Sequence, residues 1–477
     1  MRIAGGAAAK VFVIFVFLAN FNDASGTEVP QGLDEKAALE PLPASAGADP
    51  LLVDEESPLL RRMGPTLRRD TTPRPWVLLP HTYEILGREY ELHVLGYIKL
   101  DVMHDFDSMG QGTGFPNYFV PSEIPVRGAK TAGRGPRTGV TWNSSRLETG
   151  LGTSTPLGDV KTLLDFNFLR NSTGRPAFNL RQFFLELKPF RGGKSWTTFI
   201  NLESIPDTLD YQGPNALPEA RHPLLRWTQP LAVGPLADVT SLQDLSLALA
   251  VEWSSGSLYL PPGMKTESPI PDFVASLQYE KGNGSVWLSG IYRRFKASGN
   301  GSSSEAEGWG IQLAGNIPVK NFASIQFGAI YGAGLGSYLN DVQALDLDGA
   351  LDSSGKLRVI PAVSAWIAGQ YWWRIDLRSS ISYGYVYLSD DFVATLPGDT
   401  EGIFKQSHYA SANLIWSPIP PLDVGIEYLF GYRQNNDRRS GIDNRLQFSV
   451  ILHFSSGDAA RGPVGFWDRL IGEEAEK

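Results

Sequence analysis

The sequence predicts an all-β protein: a transmembrane up-and-down antiparallel β-barrel of about sixteen strands, with long extracellular loops and short periplasmic turns. Three observations carry this reading. Beyond His93, apolar residues alternate with polar or small ones in stretches bounded by Gly, Pro, Asn and Asp, which is the period of a strand with one face in lipid. The connections between these stretches alternate long and short, as external loops and periplasmic turns do. Past the N-terminus, no apolar run approaches the roughly 18 residues that a membrane helix requires.

Composition narrows the partners. The chain has 477 residues, with 42 basic against 51 acidic side chains and a net charge of -9, so a nucleic-acid partner is not expected. It contains no cysteine, which excludes disulfides, thiolate metal centres and a cysteine nucleophile; a large closed sheet needs no such staples. The run Asp346-Leu-Asp348-Gly349 lacks the later glutamate of a calcium loop, so neither metal nor cofactor is expected.

In chain order, residues 1–26 read as a signal peptide: Arg2 and Lys10, the apolar Val11 to Ala19, then small residues from Ala24 to Gly26. Residues 27–92 are rich in Pro, Ala, Glu and Arg without a sustained period, and are expected to form a periplasmic segment or linker. The barrel is expected over 93–454, followed by a periplasmic tail, 455–477.

The alternation is plainest near the end. Leu422, Val424, Ile426, Tyr428 and Phe430 alternate with Asp423, Gly425, Glu427, Leu429 and Gly431, and Leu446 to Phe454 repeat the pattern. Asn179 to Leu187 alternates poorly around Arg181, which points to a bulge. Long connections are expected at 104–144, 203–224, 253–271, 332–361 and 389–405, and compact turns at 153–159, 281–284, 373–376 and 417–421. Trp227, Trp372, Trp373, Tyr383, Trp416 and Tyr432 are candidates for interfacial girdles.

A barrel of this size is too wide for side chains to fill, so its polar parity should line a water-filled channel. That parity carries Lys99, Arg146, Lys161, Arg226, Arg293, Arg378 and Arg445, among Asp101, Glu148, Asp165, Glu252 and Glu427. Clustered arginines favour anions, whereas mixed signs orient dipolar solutes or pair within the wall. The proline-rich connection that starts at Glu203 carries Asp207, Asp210, Tyr211, Arg221 and His222; it either folds into the pore as a constriction or stays in solvent.

The chain also resembles the DcaP-like porins. The matching blocks are Pro206–Pro214, Arg221–Trp227, Pro271-Asp272 with Arg293-Arg294, Tyr331–Tyr338, Trp372-Trp373 with Leu377–Ser379, Asn413–Pro418, Gly425–Tyr428 and Asn444–Phe448. The resemblance implies a homotrimeric outer-membrane porin in bacterial lipid, delivered by the barrel-insertion machinery. It implies passage of small anionic solutes such as dicarboxylates, with Arg221, Arg226, Arg293 and Arg378 as the matched basic positions. Ser276 stands where a lumenal arginine is expected.

Two other functions remain open. A structural or tethering barrel would conduct no ions. A barrel lipid hydrolase would need a serine beside a base, and none of the six histidines lies in a short Ser/His signature, so an enzyme is not expected.

Overall fold

The structure, a computed structural model, describes residues 82–455 apart from 86–87, 108–117, 130–134, 169–176, 233–238, 240–241, 321, 390–401 and 420. The expected signal peptide, residues 27–81 of the expected linker and residues 456–477 of the expected tail lie outside the described residues.

Sixteen antiparallel strands form a closed barrel. They are β1 (Arg88–Asp105), β2 (Arg146–Thr155), β3 (Gly158–Asn167), β4 (Asn179–Leu187), β5 (Phe190–Trp196), β6 (Arg221–Pro230), β7 (Leu245–Glu252) and β8 (Asp272–Lys281). Then follow β9 (Gly284–Gly299), β10 (Ser302–Lys320), β11 (Ala323–Ala333), β12 (Pro361–Arg374), β13 (Leu377–Leu388), β14 (Phe404–Ile419), β15 (Leu422–Asn435) and β16 (Ser440–Ser455). Each pairs with the next, and β1 pairs back onto β16 from Leu95 opposite Ser455 to Asp105 opposite Arg445, so the ring has no free edge. Arg137–Thr141 extends β2 along β1 beyond a break at 142–145. The first strand starts at Arg88, inside the stretch read as linker, and its beginning pairs with Thr82–Ile85.

Side-chain alternation separates the two faces. On β8, Phe273, Leu277 and Tyr279 are exposed while Val274, Ser276 and Gln278 are buried. The outer face is apolar on strand after strand: Ile98 and Leu100, Ile311 and Leu313, Ile381 and Tyr383, Ile426 and Tyr428. Water would penalise such a continuous apolar belt; hydrocarbon does not, so the belt is the membrane face. At the short-turn end, Phe322, Tyr371 and Trp373 stack edge-on, with ring centroids 5.4 and 4.7 Å apart, as an interfacial girdle. Trp372 does not join them. The alternation that turns Tyr371 and Trp373 outward puts it on the inner face, 7% exposed.

The loop end departs from the expected alternation at two hairpins. β9 and β10 are 16 and 19 residues long and turn at residues 300–301, and β15 turns into β16 over 436–439, so not every loop there is long. Three others fold inward: residues 118–126, the third loop (197–220) and the sixth (334–360). Phe199 and Leu217 of the third loop meet Leu335, Leu339 and Val342 of the sixth, and Ile330, Ala362, Trp366 and Val386 of the wall, in one apolar cluster inside the barrel. Small wall residues make this docking possible. A Cβ on Gly384 would lie 2.4 Å from Asn215 Oδ1, and one on Gly425 would lie 2.9 Å from the Leu209 side chain.

Candidate functional site: the lumen and its inward loops

The third loop is laid across the inner wall by hydrogen bonds from strand after strand. Asn201 Oδ1 accepts from Glu203 N at 3.0 Å while its amide donates to Ser285 Oγ at 3.1 Å, which fixes the loop's first turn on β9. The Trp366 indole donates to Ser204 O at 3.0 Å, and Ser364 Oγ to Ala216 O at 2.9 Å. Farther round, Asn413 donates to Asp207 O (2.9 Å), Gln447 to Leu209 O (3.0 Å), and Asn215 to Ser407 Oγ (2.7 Å). The loop therefore lies inside the barrel rather than in solvent.

Its acidic residues are spoken for. Asp207 accepts from Arg378 Nε at 2.6 Å. Asp210 accepts from Phe119 N at 3.3 Å, and its own N–H donates to Glu427 Oε2 at 2.6 Å. Burial pushes the Asp210 carboxyl up to about 7, against the pull of Arg445 and Lys99. Tyr211 meets Tyr97 edge-on at 5.4 Å, with Lys99 Nζ 4.7 Å above its ring. Residues 118–126 are tied to the sixth loop through Asp341, which accepts from Ser122 N at 2.9 Å and also bonds Ser407 Oγ; burial raises its carboxyl to about 6.

The basic residues that the sequence placed on the lumenal parity do face inward, but most are held by carboxylates. Arg293, fully buried, donates Nε to Asp272 and Nη1 to Asp348, both at 3.0 Å, and reaches Gly334 O and Ser254 Oγ; it clamps the sixth and fourth loops to β9. Arg378 joins Asp423 (2.9 Å) as well as Asp207. Arg146 joins Asp165 (2.7 Å) and Glu148 (2.9 Å), Arg445 joins Asp105 (2.6 Å), and Lys99 joins Asp101. At these five positions of the expected row of solute-binding cations, a carboxylate stands beside each inward base. Removing a guanidinium from water stabilises only when a carboxylate replaces the lost solvation, so the buried bases come with partners.

A different arc keeps more positive charge. Arg226 Nη2 donates to Trp196 O at 2.6 Å and its Nε to Thr198 Oγ1 at 2.9 Å. Arg221 lies flat on Trp196, 3.3 Å from the ring centroid, and its buried Nε has no hydrogen-bond partner among the described residues. The bulge read from the sequence is present: Gln182 pairs with Asp165 and Leu180 with Phe166, so Arg181 is the extra residue, its Nε 3.5 Å from Asp165. Ser276 faces inward and bonds Ser289 Oγ at 2.9 Å.

Beside the third loop is a small recess of about 30 Å³ lined by Tyr97, Arg146, Asp207, Thr208, Tyr211, Arg378, Asp423 and His453. Sequence reasoning missed the inward course of 118–126 and 334–360. The only signal for the latter was its apolar content, in Leu335, Leu339 and Val342, which a solvated loop does not need.

A closed sixteen-stranded ring, an apolar outer belt and a third loop folded into a polar interior fix the architecture. The fold is an outer-membrane porin barrel. The DcaP outer-membrane channel of Acinetobacter baumannii superposes with a TM-score of 0.66 at 18% identity, over 79% of this chain and 100% of that one. The resemblance read in the sequence blocks thus extends to the fold. An anion-selective porin from Comamonas acidovorans gives 0.48 at 10% identity over 76% of this chain and 100% of its own, and OmpF of Salmonella typhi gives 0.46 at 10% over 78% and 100%. No protein-family model matches the porin barrel's sequence, and no curated protein does.

Proposed function

We propose that this porin barrel is a passive diffusion channel of the bacterial outer membrane for small solutes, with a mild preference for anions such as dicarboxylates. One observation supports the preference: the lumen is electrically lopsided. On the inward parity of β2 to β6, Arg146, Lys161, Arg181, Arg191 and Arg226 outnumber Glu148, Asp159, Asp165 and Glu186. Around β13 to β16 and the third loop, Asp207, Asp210, Asp423, Glu427 and Asp443 outnumber Arg378, Arg433 and Arg445. Such a field across the passage draws carboxylates to one wall and turns dipolar solutes as they pass.

The anion route follows Arg181, Arg221 and Arg226, on the side of the lumen where inward bases outnumber acids, with Arg221 laid on Trp196 at 3.3 Å. We also propose a homotrimer, exported by residues 1–26 and folded by the barrel-insertion machinery, as the DcaP-like resemblance implies. Planar-bilayer recording tests the reading. Stepwise conductance with a reversal potential displaced toward anions supports it; no conductance leaves a tethering barrel, and ester hydrolysis by the purified protein would favour the hydrolase.

A further inference from the structure

On the short-turn side of the third loop, the basic wall and the acidic wall meet around one small opening. The recess of about 30 Å³ is enclosed by the third loop from Asp207 to Tyr211 and by side chains of β1, β2 and β13 to β16. Ladder register brings the strands' contributions together. Tyr97 stands opposite both Arg146 and His453, while Arg378 and Asp423 are the second residues of β13 and β15, each just past a short turn.

The charged groups around this opening are only partly committed to one another. Asp207 Oδ2 accepts from Arg378 Nε at 2.6 Å, but its Oδ1 accepts no hydrogen bond among the described residues. Arg146 commits Nε and Nη2 to Asp165, both at 2.7 Å, with Nη2 also 2.9 Å from Glu148; its Nη1 donates to none of the described residues. Neither free atom is sealed from solvent. Asp165 does not serve Arg146 alone, since Arg181 Nε lies 3.5 Å from it. A solute of one sign therefore gains at one side of the recess and loses at the other. A solute that carries both signs presents each to its complement. Space sets the size: about 30 Å³ is room for roughly two water molecules, or for a carboxylate and an ammonium on one carbon, with Leu209, Ile415 and Ile451 to pack against that carbon.

We propose that this recess is a subsite for the head group of a small zwitterion, an α-amino acid, with its carboxylate toward Arg146 and its ammonium toward Asp207. The proposal rests on the channel reading above and adds a second solute class, held where the two walls meet. The solute's side chain stays outside the recess, so the subsite reads the head group alone.

Alanine and lactamide have the same atomic composition, but only alanine carries charges, so the pair separates charge recognition from size. The full-length protein in proteoliposomes is given either solute, labelled and at micromolar concentration. The subsite predicts alanine uptake about fivefold faster than that of lactamide. Excess unlabelled alanine should slow the first and not the second. Asp207→Asn and Arg146→Lys, made singly, should each bring the ratio of the two rates close to one, and the lysine keeps a cation beside Asp165. A loosened loop would alter both rates together and leave the ratio where it was. Heat-modifiable migration certifies that a variant is folded. A wild-type ratio of one, or a raised ratio that either variant keeps, overturns the proposal while leaving the channel intact. Entry of neither solute overturns the channel reading itself.

Discussion

Arg378 on β13 and Asp207 in the third loop, 171 positions apart, meet at 2.6 Å inside the barrel, both nearly buried. The pair pins the loop to the wall midway along its course, and Asp423 completes the charge balance at 2.9 Å. Arg378→Gln leaves two carboxylates facing each other in a site poor in water. It should cost about 3–5 kcal/mol of stability. Asp207→Asn, which keeps one carboxylate on the arginine, should cost less and make conductance noisier as the loop loosens. Chemical denaturation with single-channel recording measures both; equal stability of the two variants contradicts the account.

Selectivity should depend on a different set. Arg181→Gln with Arg221→Gln removes charge from the arc that keeps an excess of it, and should move the reversal potential in a potassium chloride gradient toward cations. Lys99→Met with Asp101→Asn removes a buried pair together and should leave the potential nearly where it was. A larger shift from the second variant would place the anion route on the other wall.

Loop docking ought to respond to the glycine sockets. A methyl on Gly384 collides with Asn215, whose amide holds Ser407 Oγ at 2.7 Å. Gly384→Ala should therefore displace the end of the third loop at a cost of about 1–3 kcal/mol, the range for overpacking. Limited proteolysis within 197–220 is the direct measurement, and unchanged resistance would show that the socket is not tight.

Acidity should tighten the inward loops. Asp210 and Asp341 titrate near 7 and near 6 because burial disfavours their charged forms, both above the 3.8 of a free aspartate. A carboxyl raised in the folded state contributes stability that is present below the unfolded value and lost as pH climbs through the folded one. Thermal stability should fall between about pH 4 and 7, and Asp210→Asn with Asp341→Asn should flatten that slope. A slope that survives the double variant assigns it to other groups.

On the lipid side, Ile426→Arg should destabilise the barrel by about 2–4 kcal/mol if its height is near the midplane, and Ile426→Leu by almost nothing. Reversible unfolding from detergent or vesicles reads the difference. Similar values for the two would contradict the assignment of the apolar belt.

The strands were legible because one constraint repeats along them: hydrocarbon on one side, and water, loops or small sockets on the other. Leu422 to Gly431 shows that pattern without knowledge of any neighbour, and even the bulge at Arg181 disturbs it visibly. The ion pairs were not legible. Arg293 finds Asp348 and Arg445 finds Asp105 across long separations, and nothing local says whether an inward arginine meets solute or carboxylate. Trp372 was assigned to the girdle together with Trp373, although adjacent residues of a strand point to opposite faces and only Trp373 can sit there.

The seam between β1 and β16 has a consequence for how the ring is read as a ring. Its outer face is as greasy as every other hairpin and carries no instruction about alignment. Inside, Asp105 takes Arg445 at 2.6 Å, while Asp101 takes Ser449 Oγ at 2.5 Å and Gln447 at 3.2 Å. A slip of two residues would keep every side chain on its proper face yet part Asp105 from Arg445 and Asp101 from Ser449 and Gln447. The two ends of the barrel thus recognise each other by polar matching rather than by a connecting turn. Joining them with a linker and opening the chain at Asn300–Gly301 should yield a circular permutant that closes in the same register.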